Sequence, residues 1–434
     1  MTTTRFEPSG RLRGDYTPPA DKSISHRAAL FGAMSDDPVT ITNYLDSADT
    51  RATLDALLSL GAGVDEGEGQ VVVRGVGLHA PLEATGGRLE VANSGTLLRM
   101  LPGWLAGQPG GVWTLDGDES VRRRPMDRVA EPLRLMGAEV EVRDERYPPL
   151  TIKGAPLHSI EYELPVASAQ VKSCVLIAGM LADGETTVVE PTQSRDHTER
   201  LLSRSRVPFE RDGLRLEVFQ VDELELDDIV VPGDPSSAAF IVAAATLVPD
   251  SRVVIDGVAL NWTRTAFMRI AERMGAVIVG DLEEPGSFGP DEPVGELDVA
   301  SSPLEGATVE ADEVPLAIDE LTLVALLGAF ADGETVVRDA GELRHKETDR
   351  IAGVVEGLRG LGADIEETED GFVVRGDGTP LEGGTLDAHG DHRLAMLGAV
   401  AGLASIGGVE VVGMESAAVS YPAFEQDLRA LLRG

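Results

Sequence analysis

Six times along this chain a short polar segment runs straight into an apolar stretch of helical length, and that repetition restricts the fold more than any other feature. The segments are Asp21-Lys22-Ser23-Ile24-Ser25-His26-Arg27, Asn93-Ser94-Gly95-Thr96, Ser168-Ala169-Gln170-Val171-Lys172-Ser173, Asp234-Pro235-Ser236-Ser237, Asp319-Glu320 and Asp391-His392-Arg393. The first start and the sixth lie 370 residues apart, a mean spacing of 74. The leading N–H groups of a helix have no internal partner, and the helix dipole makes that end positive. Ser, Asp and Asn there cap a helix with no ligand involved. One such segment is a cap; six at a common period, several carrying Lys, Arg or Gln, point to anion binding.

A short β-branched segment follows each apolar helix: 39–42, 112–115, 186–189, 252–255, 335–338 and 409–412. An amphipathic helix comes next. Four of these close on one signature: Leu60-Gly61-Ala62, Met136-Gly137-Ala138, Met274-Gly275-Ala276 and Leu361-Gly362-Ala363. A glycine just past the last apolar turn takes the left-handed conformation that stops a helix. The third copy is degenerate near Arg206-Val207-Pro208, and the sixth runs out at Leu431-Leu432-Arg433-Gly434. Units of this length would suit a solenoid, but their polar loops differ in chemistry, which favours a closed enzyme. Proline-rich breaks at Thr17-Pro18-Pro19-Ala20 and Val231-Pro232-Gly233-Asp234-Pro235 leave three units between them and three after. The expected division is 20–232 as one domain and 1–19 plus 233–434 as the other, with stiff proline linkers suited to hinge closure. The segment from about Arg5 to Asp15 is expected to add one strand to the second domain.

The formal net charge is −37, which makes nucleic acid and anionic membranes poor partners. Local positive charge is therefore informative. Only four of the 37 basic residues are lysines: Lys22, Lys153, Lys172 and Lys346. Where Arg is the default, Lys22 and Lys346 stand out as chosen for a compact, tunable amine. Cys174 is the single cysteine, so neither an internal disulfide nor a thiolate metal cluster is expected. The apolar stretches fall short of the roughly 20 residues that span a bilayer. A soluble cytoplasmic protein is expected.

The richest loop is Gly341–Arg350, seven of whose ten residues ionise. Exposed helix starts prefer acids, so Arg344-His345-Lys346 there favours ligand binding over a solvated face. Gly117–Met126 sets Arg122, Arg123 and Arg124 before a proline, and Ser194–Arg200 holds the same place in the third unit. Asp319-Glu320 follows the apolar run Val314–Ile318, so Asp319 is either a partly buried base or a helix cap. Neither a Walker loop nor a GxGxxG after a first strand is present. His389, Asp391 and His392 lack the further ligands a metal would need, so no metal is expected. What remains fits small phosphates and carboxylates with acid–base chemistry between them.

Taken in order, DKSISHR at 21, NSGT with LLR from 93, GDES with RRRPM from 117, SAQVKS at 168, SRDHTER at 194, Asp234 with SSAAF, Asp319-Glu320, ELRHKETDR at 342 and GDHR with AM from 390 resemble the EPSP synthase family. The resemblance covers nearly the whole chain. It implies an α/β fold of two similar domains, each of three βαβαββ units, an inside-out α/β barrel closing like jaws. It implies an enzyme of aromatic amino acid biosynthesis, the shikimate pathway leading to chorismate. The reaction moves the enolpyruvyl group of phosphoenolpyruvate to the 5-hydroxyl of shikimate 3-phosphate and releases phosphate, by addition and elimination. Neither a metal nor an organic cofactor is implied, and a cytoplasmic monomer is expected.

By the same resemblance, Lys22, Ser23, Arg27, Ser168, Ala169, Gln170, Ser194, Asp319 and Lys346 hold shikimate 3-phosphate. Lys22, Gly95, Arg124, Gln170, Arg350 and Arg393 hold phosphoenolpyruvate. The catalytic set is Lys22, Asp319 as base and Glu347 as proton donor. Two positions depart from the pattern: Val419 stands where many members carry a lysine, and Ala20 where glycine is usual. The sister transferase acting on UDP-N-acetylglucosamine starts with Lys-Asn rather than Lys-Ser and uses a loop cysteine, whereas Cys174 falls in an apolar helix. A non-catalytic anion-binding scaffold is the remaining alternative, kept alive by Val419.

Overall fold

A computed structural model describes residues 2–79, 82–83 and 86–433. The chain divides into two compact units. The first comprises Ala20–Val231 with Phe288–Glu292; the second comprises Met1–Pro19, Pro232–Ser287 and Pro293–Gly434. The excursion Phe288–Glu292 departs from the expected division, which gave all of 233–434 to one domain. Its attachment is aromatic and ionic. The guanidinium carbons of Arg200 and Arg211 lie 5.7 and 5.1 Å from the centre of the Phe288 ring. His197 Nδ1 is 2.6 Å from Glu292 Oε1, and Arg200 donates to the Asp291 carbonyl.

The sheets repeat one plan. In the first unit, Val39–Thr42, Val112–Asp116 and Glu185–Val189 each pair on one side with a parallel strand, Ile229–Val230, Gly87–Glu90 and Glu161–Glu163 respectively. On the other side each pairs with an antiparallel strand, and a fourth antiparallel strand closes the sheet. In the second unit Arg252–Ala259 follows the same order. Around Asp332–Val337 the parallel partner shrinks to isolated bridges from Glu305 and Thr308. The last sheet sets Val409–Val412 between Gly384–Asp387 (parallel) and Thr3–Phe6 (antiparallel). The N-terminal segment thus supplies two strands rather than one, in different sheets: Thr3–Phe6 here, and Arg13–Tyr16 beside Arg252–Ala259. Two of the crossings between units follow a strand that completes the unit being left: Arg13–Tyr16 before one, Ile229–Val230 before the other.

Thirteen α-helices are found among the described residues. Six form the cores: α1 (Lys22–Met34), α3 (Gly95–Ala106) and α5 (Ala169–Met180) in the first unit, α7 (Pro235–Leu247), α10 (Leu321–Phe330) and α12 (His392–Ala404) in the second. They are the apolar stretches read above, and they are buried nearly all round. α3 packs against α1 and α5; α7, α10 and α12 pack on one another. The α3–α5 contact requires a glycine. A Cβ on Gly103 would stand 2.3 Å from the Cys174 carbonyl oxygen. Five of the six have the expected side-chain caps, from Asp21, Ser94, Ser168, Asp234 and Asp391. The exception is α10, whose start at Glu320 has no side-chain cap and is entered through the short α9 (Val314–Ala317).

The outer helices are α2 (Ala48–Ser59), α4 (Asp127–Leu135), α6 (His197–Arg204), α8 (Ala266–Arg273), α11 (Arg350–Gly360) and α13 (Phe424–Leu431). Gly61, Gly137, Gly275 and Gly362, just past four of them, have φ between 99° and 106°. Past α6 the same left-handed corner is turned by Arg206 at φ 56°, so the degenerate copy keeps the geometry without the residue that suits it. The end of the sixth copy, Gly434, lies outside the described residues.

Candidate active site

In the first unit the ligand-type side chains gather at the N-termini of α1, α3 and α5. Lys22 is the first residue of α1, and its Nζ lies 3.0 Å from Asp49 Oδ2 at the start of α2. One turn on, the buried Arg27 donates from Nε to Thr198 Oγ1 (2.9 Å), from Nη1 to the Ser23 carbonyl (3.0 Å) and from Nη2 to Ser173 Oγ (3.2 Å). Of the three consecutive arginines only Arg124 is buried. Arg122 forks onto Asp116, and Arg123 reaches Glu119 from solvent. Arg124 donates to Asn93 Oδ1 (3.3 Å) and Ser120 Oγ (3.4 Å). It lies against Gly95: a Cβ there would stand 2.3 Å from Arg124 Nη1. Gln170 accepts from Arg99 (2.8 Å) and donates to Thr96 Oγ1 (3.0 Å), tying the start of α5 to that of α3. Ser168 caps α5, Ala169 opens it, and the buried Ser194 donates to Glu190.

In the second unit the cluster centres on Asp319. Its Oδ1 lies 3.2 Å from both Lys346 Nζ and Arg350 Nη1, and its Oδ2 is 3.9 Å from Arg393 Nη2. Arg393 also donates to the Asp319 carbonyl (2.8 Å) and to Glu320 Oε1 (3.2 Å). The buried Arg350 forks further, onto Asp391 (2.8 Å) and Glu347 (2.5 Å). The apolar approach is present, with Val314, Leu316 and Ala317 buried. The carboxylate of Asp319 nevertheless meets three cations rather than an apolar wall. The partial burial is as expected, with 15% of the side chain exposed; the surrounding charge is what the apolar approach does not show. Asp391 caps α12 through the Arg393 N–H and accepts from Thr348 Oγ1. Burial alone would raise the Asp391 pKa; the charge and hydrogen bonds of Arg350 more than offset this and hold it below the usual value. The same carboxylates keep the Arg350 guanidinium protonated against its burial.

A family model for EPSP synthase (3-phosphoshikimate 1-carboxyvinyltransferase) matches residues 6–428.

The chain belongs to the EPSP synthase family.

It is similar to curated members named 3-phosphoshikimate 1-carboxyvinyltransferase. The protein from Geobacillus kaustophilus is 46% identical over 424 residues, 97% of this chain and 98% of that one. The protein from Bacillus subtilis is 43% identical over 422 residues, 97% of each. Among solved structures, EPSP synthase from Acinetobacter baumannii superposes with a TM-score of 0.85 at 38% identity, covering 99% of this chain and 98% of that one. The enolpyruvyl transferase NikO from Streptomyces tendae shares the fold, at a TM-score of 0.74 and 16% identity over 98% and 96% of the chains. The fold is therefore that of the enolpyruvyl transferases, and the chain is an enzyme of the EPSP synthase family.

Within this family member the dense loop at 341–350 separates into distinct parts. Arg344 is structural, bound to Asp349, Glu367 and two carbonyls. His345 is exposed, while Lys346 and Arg350 turn to Asp319. Val419 ends a short 3₁₀ turn, Met414–Val419, half-buried. Several residues of these clusters were not anticipated. Asp49, Arg99 and Asp391 each hold a ligand-type side chain in place; the sequence places Asp391 at a helix start but does not show it as the partner of Arg350. Arg99 had a signal, one turn beyond Gly95 on the same helix face. Among the described residues no group of three or more His, Cys, Asp or Glu side chains is arranged to hold a metal ion, and no helix is long and apolar enough to cross a membrane.

Proposed function

We propose that this enzyme transfers the enolpyruvyl group of phosphoenolpyruvate to the 5-hydroxyl of shikimate 3-phosphate. The products are 5-enolpyruvylshikimate 3-phosphate and inorganic phosphate. The observation that carries the reading is Asp319, a carboxylate held by Lys346, Arg350 and Arg393 at the mouth of α10. A fixed base among cations is what addition of a hydroxyl to an anionic enol phosphate requires.

In this reading Asp319 takes the proton of the 5-hydroxyl as its oxygen bonds to C2 of phosphoenolpyruvate. Glu347 delivers a proton to the methylene carbon, giving a tetrahedral intermediate with a new methyl group. Elimination then returns a methyl proton to the Glu347 carboxylate, breaks the C–O bond to phosphate and regenerates the double bond. Lys22 screens or protonates the departing phosphate. Arg124, Arg350 and Arg393, with Gly95 and Gln170, receive the carboxylate and phosphate of phosphoenolpyruvate. Ser23, Arg27, Ser168, Ala169, Gln170, Ser194, Asp319 and Lys346, again with Lys22, hold the phosphorylated acceptor. Glu347 lies on Arg350 as a carboxylate, so an anion arriving at that guanidinium competes for it and frees Glu347 to take up the proton that it then delivers.

The reading extends to a monomeric cytoplasmic enzyme of aromatic amino acid biosynthesis. Its test is phosphate release with phosphoenolpyruvate and each acceptor in turn. Release that requires shikimate 3-phosphate is expected. Release with UDP-N-acetylglucosamine instead, or none with either, removes the proposal.

A further inference from the structure

Lys172 is fully buried and has no part in the chemistry just described. Its Nζ lies 2.8 Å from Glu190 Oε2 and 2.6 Å from Glu199 Oε1, both also buried. The other oxygen of Glu190 accepts from Ser194 Oγ. The neighbouring residue on α5, Ser173, bonds Thr198 Oγ1 at 2.6 Å, and Ser173 and Thr198 together accept two donors of Arg27. Two successive residues of one helix thus lead to two side chains assigned to the acceptor.

An ammonium and two carboxylates removed from water are costly, and apolar side chains of similar size would fill the space more cheaply. What the ions provide is direction. Glu190 is held at both oxygens, by Lys172 on one and Ser194 on the other, so neither the carboxylate nor the hydroxyl is left to rotate. Burial pushes Glu199 up to about 7, with Glu190 and Asp196 adding to the rise and Lys172 opposing it. The same two carboxylates keep Lys172 charged despite its own burial.

We infer that Lys172 is a positioning residue for the phosphorylated acceptor, acting through Glu190 on Ser194. The inference rests on the reading that Ser194 holds that acceptor, and the experiment separates the two. Ser194→Ala is measured first. It is expected to raise KM for shikimate 3-phosphate about 10-fold and to leave KM for phosphoenolpyruvate within about 2-fold. No change there defeats the underlying reading. Two further variants test the inference: Glu190→Gln, and the combined Lys172→Met/Glu190→Gln/Glu199→Gln, which leaves no buried charge unpaired. Each is expected to raise KM for shikimate 3-phosphate at least 5-fold, with little change in kcat. Added to Ser194→Ala, neither should raise it further, because they act through the same hydroxyl. Additive effects, equal rises in both Michaelis constants, or loss of folding in both variants would make the cluster merely structural and overturn the inference.

Discussion

The two ligand-bearing clusters hold their cations differently. In the first unit Lys22 is paired with Asp49, but the described hydrogen bonds of Arg27 and Arg124 run to hydroxyls, a carbonyl and an amide, and that of Arg99 to the amide of Gln170. In the second, Lys346, Arg350 and Arg393 are set against Asp319, Glu320, Glu347 and Asp391, three formal positive charges against four negative. A neutral partner orients a guanidinium without neutralising it. Carboxylate partners fix it more rigidly and keep a proton acceptor beside it, so an arriving anion must compete. The first arrangement suits binding and the second suits proton transfer, within a chain of strongly negative net charge.

The contrast breaks most sharply on activity. Asp319→Asn is expected to cut turnover at least ~100-fold in the phosphate-release assay, as loss of a general base should. Lys22→Met, the matching change in the first unit, is expected to do the same; near-wild-type turnover in either removes that role. Stability is the next test. Arg350→Met strands Asp391 and Glu347 and should cost about 3–5 kcal/mol in urea unfolding. Arg124→Met removes the hydrogen bonds to Asn93 and Ser120 and should cost about 1 kcal/mol. Equal losses would show that the distinction between partners has no energetic content. Gly95→Ala comes third. Its methyl group would meet Arg124 Nη1 and push the guanidinium aside, so KM for phosphoenolpyruvate should rise roughly 10-fold while KM for shikimate 3-phosphate holds.

Stability against pH should also separate the units. Asp391, lowered in the folded state, contributes stability that is present above its unfolded value near 4 and lost as pH falls through the lower folded value. Glu199, raised to about 7, acts in the opposite sense. Its contribution is full below its unfolded value near 4.3 and is lost as pH rises through 7. Glu199→Gln should therefore flatten the decline in unfolding free energy between pH 4.5 and 7, a slope of at most about 1.4 kcal/mol per pH unit. The smallest expected effect is confined to the first unit. Arg206→Gly should stabilise by about 1 kcal/mol, because the left-handed corner after α6 is the one such helix stop not built on glycine among those at Gly61, Gly137, Gly275 and Gly362.

What could be read in advance follows the range of the forces involved. Helix starts were legible because a cap acts over three residues, and Asp21, Ser94, Ser168, Asp234 and Asp391 all do so. The glycine stops were legible for the same reason. Pairings across long separations were not. Nothing near Lys172 announces Glu190 and Glu199, and nothing near Phe288 announces Arg200 and Arg211. Asp319 shows the intermediate case. Its apolar approach was plain, but the three cations that define its surroundings come from 27, 31 and 74 residues away. The two strands of the N-terminal segment were merged into one because Arg5 to Asp15 carries no internal mark of where one sheet ends and the next begins.

The scarcity of lysine has a practical corollary. Lys172 is sealed, and Lys22 and Lys346 are 21% and 29% exposed against Asp49 and Asp319, whereas Lys153, at the end of the strand Tyr147–Lys153, is 55% exposed. Among side-chain amines, a succinimidyl ester should tag Lys153 first and the two site lysines only slowly. Among its side chains the protein therefore offers a nearly single-point anchor for a fluorophore or a sensor surface, with no cysteine engineering.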